Sequence, residues 1–234
     1  MMDEALINRF PKTRPALPTA QAAIYEQEYL LNREGRSWMS ALSKRLESWM
    51  HREVNKHLVG NRILEIGAGT LNHIPYLNHM PLACYDVVEP AQFLYDSSQH
   101  KDRVTHFFSD IHQCTDQYSS IISIATLEHL THLPDVLSQA ATLLLPGGVC
   151  VHAVPCEGGA LWGASWRIST GLAYRLRTGF SYTTLMRHEH VNHFDEIVAL
   201  HHHFFDSVTI RYFPLFGKHC SLYACIIAKQ PTLK

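Results

Sequence analysis

The sequence predicts an α/β domain built on a mostly parallel sheet, and three observations predict it. From residue 62 onwards, short apolar runs of strand length alternate with helix-like segments, the pattern of right-handed βαβ units. The first run, Ile63-Leu64-Glu65-Ile66, passes directly into Gly67-Ala68-Gly69. Two glycines there let the backbone turn sharply and let a ligand approach the main chain with no Cβ in the way. The second run ends on Glu89, about 20 residues past Gly69, where an acidic side chain at a strand tip meets a ribose diol.

Taken in order, residues 1–20 carry Pro11, Pro15 and Pro18 and read as an extended arm. A helix is expected from Ala22 to about Asn32. A stronger one follows, because Trp38, Leu42, Leu46, Trp49, Met50 and Val54 recur at spacings of three and four, with Gly60 placed to end it. After the first strand, Leu71 to Leu77 reads as the start of a helix. Leu82 to Val88 is the second strand, Ala91 to Ser98 a helix, Val104 to Phe108 the third strand and Ile121 to Ala125 the fourth. Pro134 suits the first turn of a helix through Leu145, and Pro146-Gly147-Gly148 stops it before the fifth strand, Val149 to Val154. Residues Pro155 to about Phe194 break the rhythm and are rich in glycine and aromatics. Asp195 can then cap a helix to about Phe205, and Val208 to Phe213 with Leu222 to Ala228 reads as a closing hairpin. Residues 1–59 are expected to belong with 60–234 in one domain, with 156–194 facing an acceptor.

The bulk numbers exclude several classes. Lys plus Arg number 20 against 21 Asp plus Glu, a formal charge of −1, which leaves no electrostatic footprint for nucleic acid. No stretch reaches the roughly 18 uninterrupted apolar residues of a membrane span, and residues 1–4 lack the basic and apolar regions of a signal peptide. The six cysteines include no Cys-x-x-Cys pair and read as buried thiols of a reducing compartment. The expectation is a cytoplasmic protein, and the sequence sets no oligomeric state.

Four stretches in register resemble the class I S-adenosylmethionine-dependent methyltransferases: Leu64 to Thr70, Val88-Glu89-Pro90, Ser109-Asp110-Ile111, and Ile124 to Leu130 leading to Leu144-Leu145-Pro146-Gly147-Gly148. The resemblance implies a Rossmann-like seven-stranded sheet, its last strand antiparallel, with helices on both faces. It implies S-adenosyl-L-methionine as cofactor and S-adenosyl-L-homocysteine as product. The backbone of Gly67, Ala68 and Gly69 would face the methionine and ribose, with Glu65 orienting the ammonium end. Glu89, followed by Pro90, would accept from the ribose hydroxyls. Asp110 would accept the adenine amino group and the Ile111 N–H would meet a ring nitrogen. The Ala125 carbonyl would take the ammonium, with Thr126 lining the pocket. Asn32 to Gly35 and Met186 to Asn192 further resemble bacterial methyltransferases of surface-polysaccharide gene clusters.

These residues set the chemical expectation. The expected reaction is methyl transfer to a small-molecule or glycan-type acceptor, most simply at oxygen, with the protein aligning the acceptor against an already activated sulfonium. An acceptor proton needs a base matched to working pH, and the candidates are His129, His188, His190 and His193. Glu128 is expected to be a structural hydrogen-bonding residue. His188-x-His190-x-x-His193 invites a zinc reading, but the neighbouring His201-His202-His203 run points to different sides of a helix, and no metal is expected. Trp162, Trp166, Ile168, Leu172 and Tyr174 would form a lid or wall, or else a surface touching a membrane beside Arg167, Arg175 and Arg177. Two other classes fit less well. An NAD-dependent oxidoreductase would want a third glycine where Asn72 stands, and a non-catalytic module would keep the cofactor fold for partner binding alone.

Overall fold

The computed structural model describes residues 2–31 and 41–232. Trp38 and the Asn32 to Gly35 stretch lie outside the described residues. Three helices come first: α1 (Met2–Ile7), α2 (Thr19–Leu31) and α3 (Ala41–Lys56). The sheet strands are β1 (Arg62–Ile66), β2 (Cys84–Val88), β3 (Phe107–Phe108), β4 (Tyr118–Ile124), β5 (Leu144–Pro155), β6 (Phe205–Pro214) and β7 (Ser221–Pro231). Between them lie α4 (Gln92–Ser97), α5 (Leu133–Thr142), α6 (Ala160–Trp166), α7 (Leu172–Thr178), α8 (Tyr182–Glu189) and α9 (Phe194–Phe204). The sheet order is β3-β2-β1-β4-β5-β7-β6. β1 to β5 pair in parallel, and β7 runs antiparallel to both β5 and β6. The expected seven-stranded α/β architecture and its closing hairpin are thus present.

The sheet is central because β1 is apolar on both faces. Ile63 packs with Met50, Val54, Tyr85 and Ile122 on one side, and its neighbour Leu64 packs with Ile121, Ala140 and Cys150 on the other. This is the two-residue alternation of a strand applied to a doubly covered sheet. Met50 and Val54 of α3 are fully buried, and truncating such a side chain costs about 2–5 kcal/mol. A third cluster joins Phe194, Ile197 and Leu200 of α9 to Ile226, with Leu6, Ile7 and Phe10 of the arm packed against it.

The structure corrects five details. Residues Met2–Ile7 of the expected extended arm form helix α1, and α2 already begins at Thr19, so the extended part is what lies between them. No α-helix follows the glycine turn: a single 3-10 turn, Ile74–Leu77, fills that crossover. Pro75 sits at its start, and i→i−3 bonds such as Tyr76 N–H to His73 O close it. Leu71, at φ +64°, also breaks helical continuity. β3 shrinks to two residues at the sheet edge. β5 starts before the Pro-Gly-Gly turn, which is absorbed as an irregularity where the β4–β5 register shifts. The cap of α9 is His193, in a reciprocal capping box with Glu196, and Asp195 sits in the first turn.

Candidate active site

The carboxyl ends of β1, β2 and β4 open onto a cavity of about 750 Å³, a volume suited to a small molecule and placed where ligands bind in open parallel sheets. Gly67, at φ +70°, turns the chain off β1, and its N–H bonds Val88 O at 2.7 Å. A Cβ on it would come within 2.3 Å of Thr126 Cγ2, so the position holds no side chain. Gly69, at φ +52°, has nothing within 4 Å of the place of a Cβ. Here glycine serves the backbone conformation, and a side chain would project into open space.

Glu89 is buried and braced by main chain. Its Oε2 accepts from Gly69 N–H and its Oε1 from Ala91 N–H, each at 2.8 Å. Two donors fix the carboxylate plane and leave lone pairs on both oxygens for a ligand diol. Pro90, Asp110, Ile111, Ala125 and Thr126 line the same cavity. Asp110 caps the next turn by accepting His112 N–H at 2.8 Å, and a hydrogen bond from the His112 ring to Asp135 holds that imidazole above its usual range. Ala125 adopts φ +50°, and its N–H bonds Ala153 O at 2.8 Å.

Glu65 and Ala68 stand behind this wall and do not line the cavity. The Glu65 carboxyl accepts from the Tyr85 hydroxyl, and burial pushes its pKa up to about 8, against the opposing pull of that hydrogen bond.

The four candidate histidines divide. His129 and His188 line the first cavity. His190 and His193 line a second one, of about 730 Å³, walled by Trp162, Trp166, Arg187 and Lys12. His188 Nδ1 meets Pro15 O at 2.8 Å, and His193 caps α9. His129 and His190 converge, with ring centroids 4.8 Å apart, edge to face. His129 Nδ1 lies 2.9 Å from Glu189 O and 3.4 Å from its carboxylate. Burial pulls His129 down, but Glu189 and Glu128 outweigh it and hold the imidazole above its usual range. Glu189 in turn is lowered to about 2, its burial overcome by His129, Tyr25 and Arg14. His190 Nδ1 lies 2.9 Å from Glu157, which also accepts the Trp162 indole N–H at 2.8 Å.

Residues 37–210 match the family model described as Methyltransferase domain. The chain belongs to that family.

No curated protein matches it. Among solved structures, the methyltransferase is similar to a SAM-dependent methyltransferase from Archaeoglobus fulgidus, at 14% identity and TM-score 0.58, over 80% of this chain and 94% of that one. It is also similar to the plantazolicin methyltransferase BpumL in complex with SAH, at 12% identity and TM-score 0.57, over 91% and 100% of the two chains. An O-methyltransferase family protein from Burkholderia thailandensis shares 13% identity at TM-score 0.55, over 92% and 71%. At these identities the likeness establishes the fold.

S-adenosylmethionine fits the cavity of this methyltransferase on its own terms. Both Glu89 oxygens keep lone pairs free, Gly67 and Gly69 bring main chain to the cavity wall, and Arg14 is the one arginine or lysine among the described lining residues. Sequence reasoning does not reach Glu157, Glu189, Arg14 and Tyr25. Glu189 lies inside the Arg187-His188-Glu189-His190 string, and its alternation of acid with histidine is the available signal. Arg14 and Tyr25 have none, since their neighbours here are 115 and 164 residues away in sequence.

Proposed function

We propose that this methyltransferase transfers the methyl group of S-adenosylmethionine to the oxygen of a glycan-type or other small hydroxylated acceptor. The cofactor occupies the first cavity and the acceptor the second. One observation supports this reading: His129 of the first cavity's wall and His190 of the second's stand edge to face, with ring centroids 4.8 Å apart. Cofactor chemistry supplies an electrophilic methyl on a sulfonium. The S–CH₃ bond breaks as the O–CH₃ bond forms, S-adenosylhomocysteine leaves, and the acceptor's hydroxyl proton is lost.

The chain's own residues align the partners and ease that proton loss. Glu89 and the Gly67–Gly69 backbone would hold the adenosyl part, Asp110 and Ile111 the adenine, and Ala125 and Thr126 the methionine end. Glu189 and Glu157 orient the imidazoles through their Nδ1 atoms, which leaves the Nε2 atoms to face the acceptor. Trp162 and Trp166 line the second cavity together with Arg187 and Arg167, the Arg167 guanidinium lying over the Trp166 ring, and with the carboxylates Glu157 and Glu196. That combination suits a sugar ring carrying polar or anionic groups. His188 and His193, engaged elsewhere, act in structure. The region 156–194 is then the acceptor wall.

A panel of sugar, phenol, amine and carboxylate acceptors tests the reading, with S-adenosylhomocysteine release as readout and NMR of the product to locate the methyl group. A methoxy group on a glycosidic acceptor is the expected result, and Trp162→Ala should raise the acceptor KM about tenfold, as for a lost contact near 1.4 kcal/mol. Methylation at nitrogen or carbon, or an acceptor KM untouched by Trp162→Ala, would overturn the acceptor assignment.

A further inference from the structure

The Glu128 carboxylate is only half satisfied where it stands. The residue is 1% exposed, yet its Oε2 is buried without a hydrogen-bond partner, and its Oε1 lies 3.9 Å from His129 Nε2. The sequence suggests a structural hydrogen-bonding side chain, but it is the Glu128 backbone that bonds that way, its carbonyl accepting Val191 N–H at 2.9 Å and Asn192 N–H at 3.0 Å. Those two bonds bring the segment carrying His190 against the one carrying His129. A buried carboxylate oxygen left unpaired is costly unless a cation compensates it. Glu128, His129 and His190 offer one ligand atom each, all within 4.8 Å of one another. Each imidazole already directs Nδ1 to a carbonyl or carboxylate of Glu189 or Glu157, the outer-shell arrangement that fixes the tautomer of a metal-ligating histidine.

We propose that Glu128, His129 and His190 form a divalent-cation site between the two cavities. Two imidazoles and one carboxylate suit first-row ions such as zinc or manganese better than magnesium or calcium, and a small closure of the three side chains reaches bonds of about 2.0–2.2 Å. With the ion bound, the Nε2 atoms act on the acceptor through it: three protein ligands leave positions open for an acceptor hydroxyl, whose proton then passes to water more readily because the cation lowers its pKa. The other grouping of this kind among the described residues, Cys84, Asp86 and His106, is closed on itself. Asp86 accepts from Tyr118 at 2.7 Å and from His106 at 3.0 Å, and has no orphaned oxygen.

The role in methyl transfer rests on the acceptor reading above, whereas the existence of the site does not. The test is therefore direct. Chelator-treated, desalted protein is titrated calorimetrically with Zn²⁺ alone and with Mn²⁺ alone, and metal content after loading is read by inductively coupled plasma mass spectrometry. About one equivalent per chain is expected. His190→Ala and Glu128→Gln should each abolish saturable binding. Glu157→Gln touches only the outer shell and should weaken binding about 10–100-fold, which keeps the site testable if the other two variants fail to fold. No saturable binding of either ion, or equal affinity in every folded variant, would overturn the site. S-adenosylmethionine is titrated into the same samples: cofactor binding without metal binding sinks this site alone, and metal binding without cofactor binding sinks the functional reading alone.

Discussion

Gly69 shows how a single residue can be required without being packed. Its φ of +52° belongs to the left-handed region and nothing lies within 4 Å of where a Cβ would stand, so Gly69→Val should cost the fold only the backbone strain, about 1–2 kcal/mol. The valine would stand over the main chain that faces the adenosyl group. Cofactor affinity should therefore fall beyond detection by calorimetry while circular dichroism stays native; retained affinity would move the cofactor elsewhere. Gly67 differs, since a Cβ there strikes Thr126 at 2.3 Å and would disturb the turn itself. Asp110 comes from the resemblance of Ser109-Asp110-Ile111 to the family, whereas Gly67, Gly69 and Glu89 are readable from local spacing, because each sits at a strand tip whose position the apolar runs mark. The carboxylates that orient the histidines are not. Glu189 reaches His129 across 60 residues of chain, and no local pattern encodes such a contact.

At the scale of elements, the N-terminal arm is a strap. Lys12 bonds Val191 O at 2.9 Å and Glu196 at 2.6 Å. Arg14 donates to the carbonyls of His188, Glu189 and His129 at 3.0, 3.1 and 2.8 Å, tying together the two loops that carry the histidine pair. Arg14→Ala removes a charged donor from three carbonyls and should cost about 1–3 kcal/mol. It should lower the thermal midpoint and raise the acceptor KM more than it changes the cofactor Kd. An unchanged midpoint would mean that the arm merely lies on the surface. The prolines announce an extended arm, but its docking site is invisible in the sequence. Helix α3 is readable from its periodicity. The turn after Gly69 looks in sequence like the start of a longer helix because its apolar residues, Leu71, Ile74 and Leu77, also satisfy a compact 3-10 crossover.

For the whole molecule, the histidine content has an energetic consequence. The sequence contains 17 histidines, and His51, His73, His152 and His201 among them are buried. Burial, aided by Arg52, lowers His51 to about 4; burial and then His51 lower His73 to about 3; burial lowers His201 to about 4 and His152 also downward. Their folded-state pKa values lie below the unfolded value near 6.5, so their stabilisation is complete above that pH and is lost as pH falls from about 6.5 to about 4 for His51 and His201 and to about 3 for His73. Each tenfold difference in proton affinity between the folded and unfolded chain is worth about 1.36 kcal/mol. Glu65, raised by burial to about 8, has the opposite sign: its contribution is full below its unfolded value and is lost as pH rises toward 8. Four groups outweigh one on the acid side, so the urea midpoint should fall steadily from about pH 6.5 to pH 4.5. A flat profile there would show that these imidazoles are solvated.

On this account the carboxylate of Glu89 grips the sugar of S-adenosylmethionine at the strand tips, and an isothermal titration tests that grip most directly. The unaltered protein should bind the cofactor saturably, and Glu89→Ala should lose about 1–3 kcal/mol of that affinity, the worth of a hydrogen-bonded charged group, with its fold intact. Equal affinity in the two proteins, or no binding to the unaltered protein at millimolar cofactor, would contradict the account.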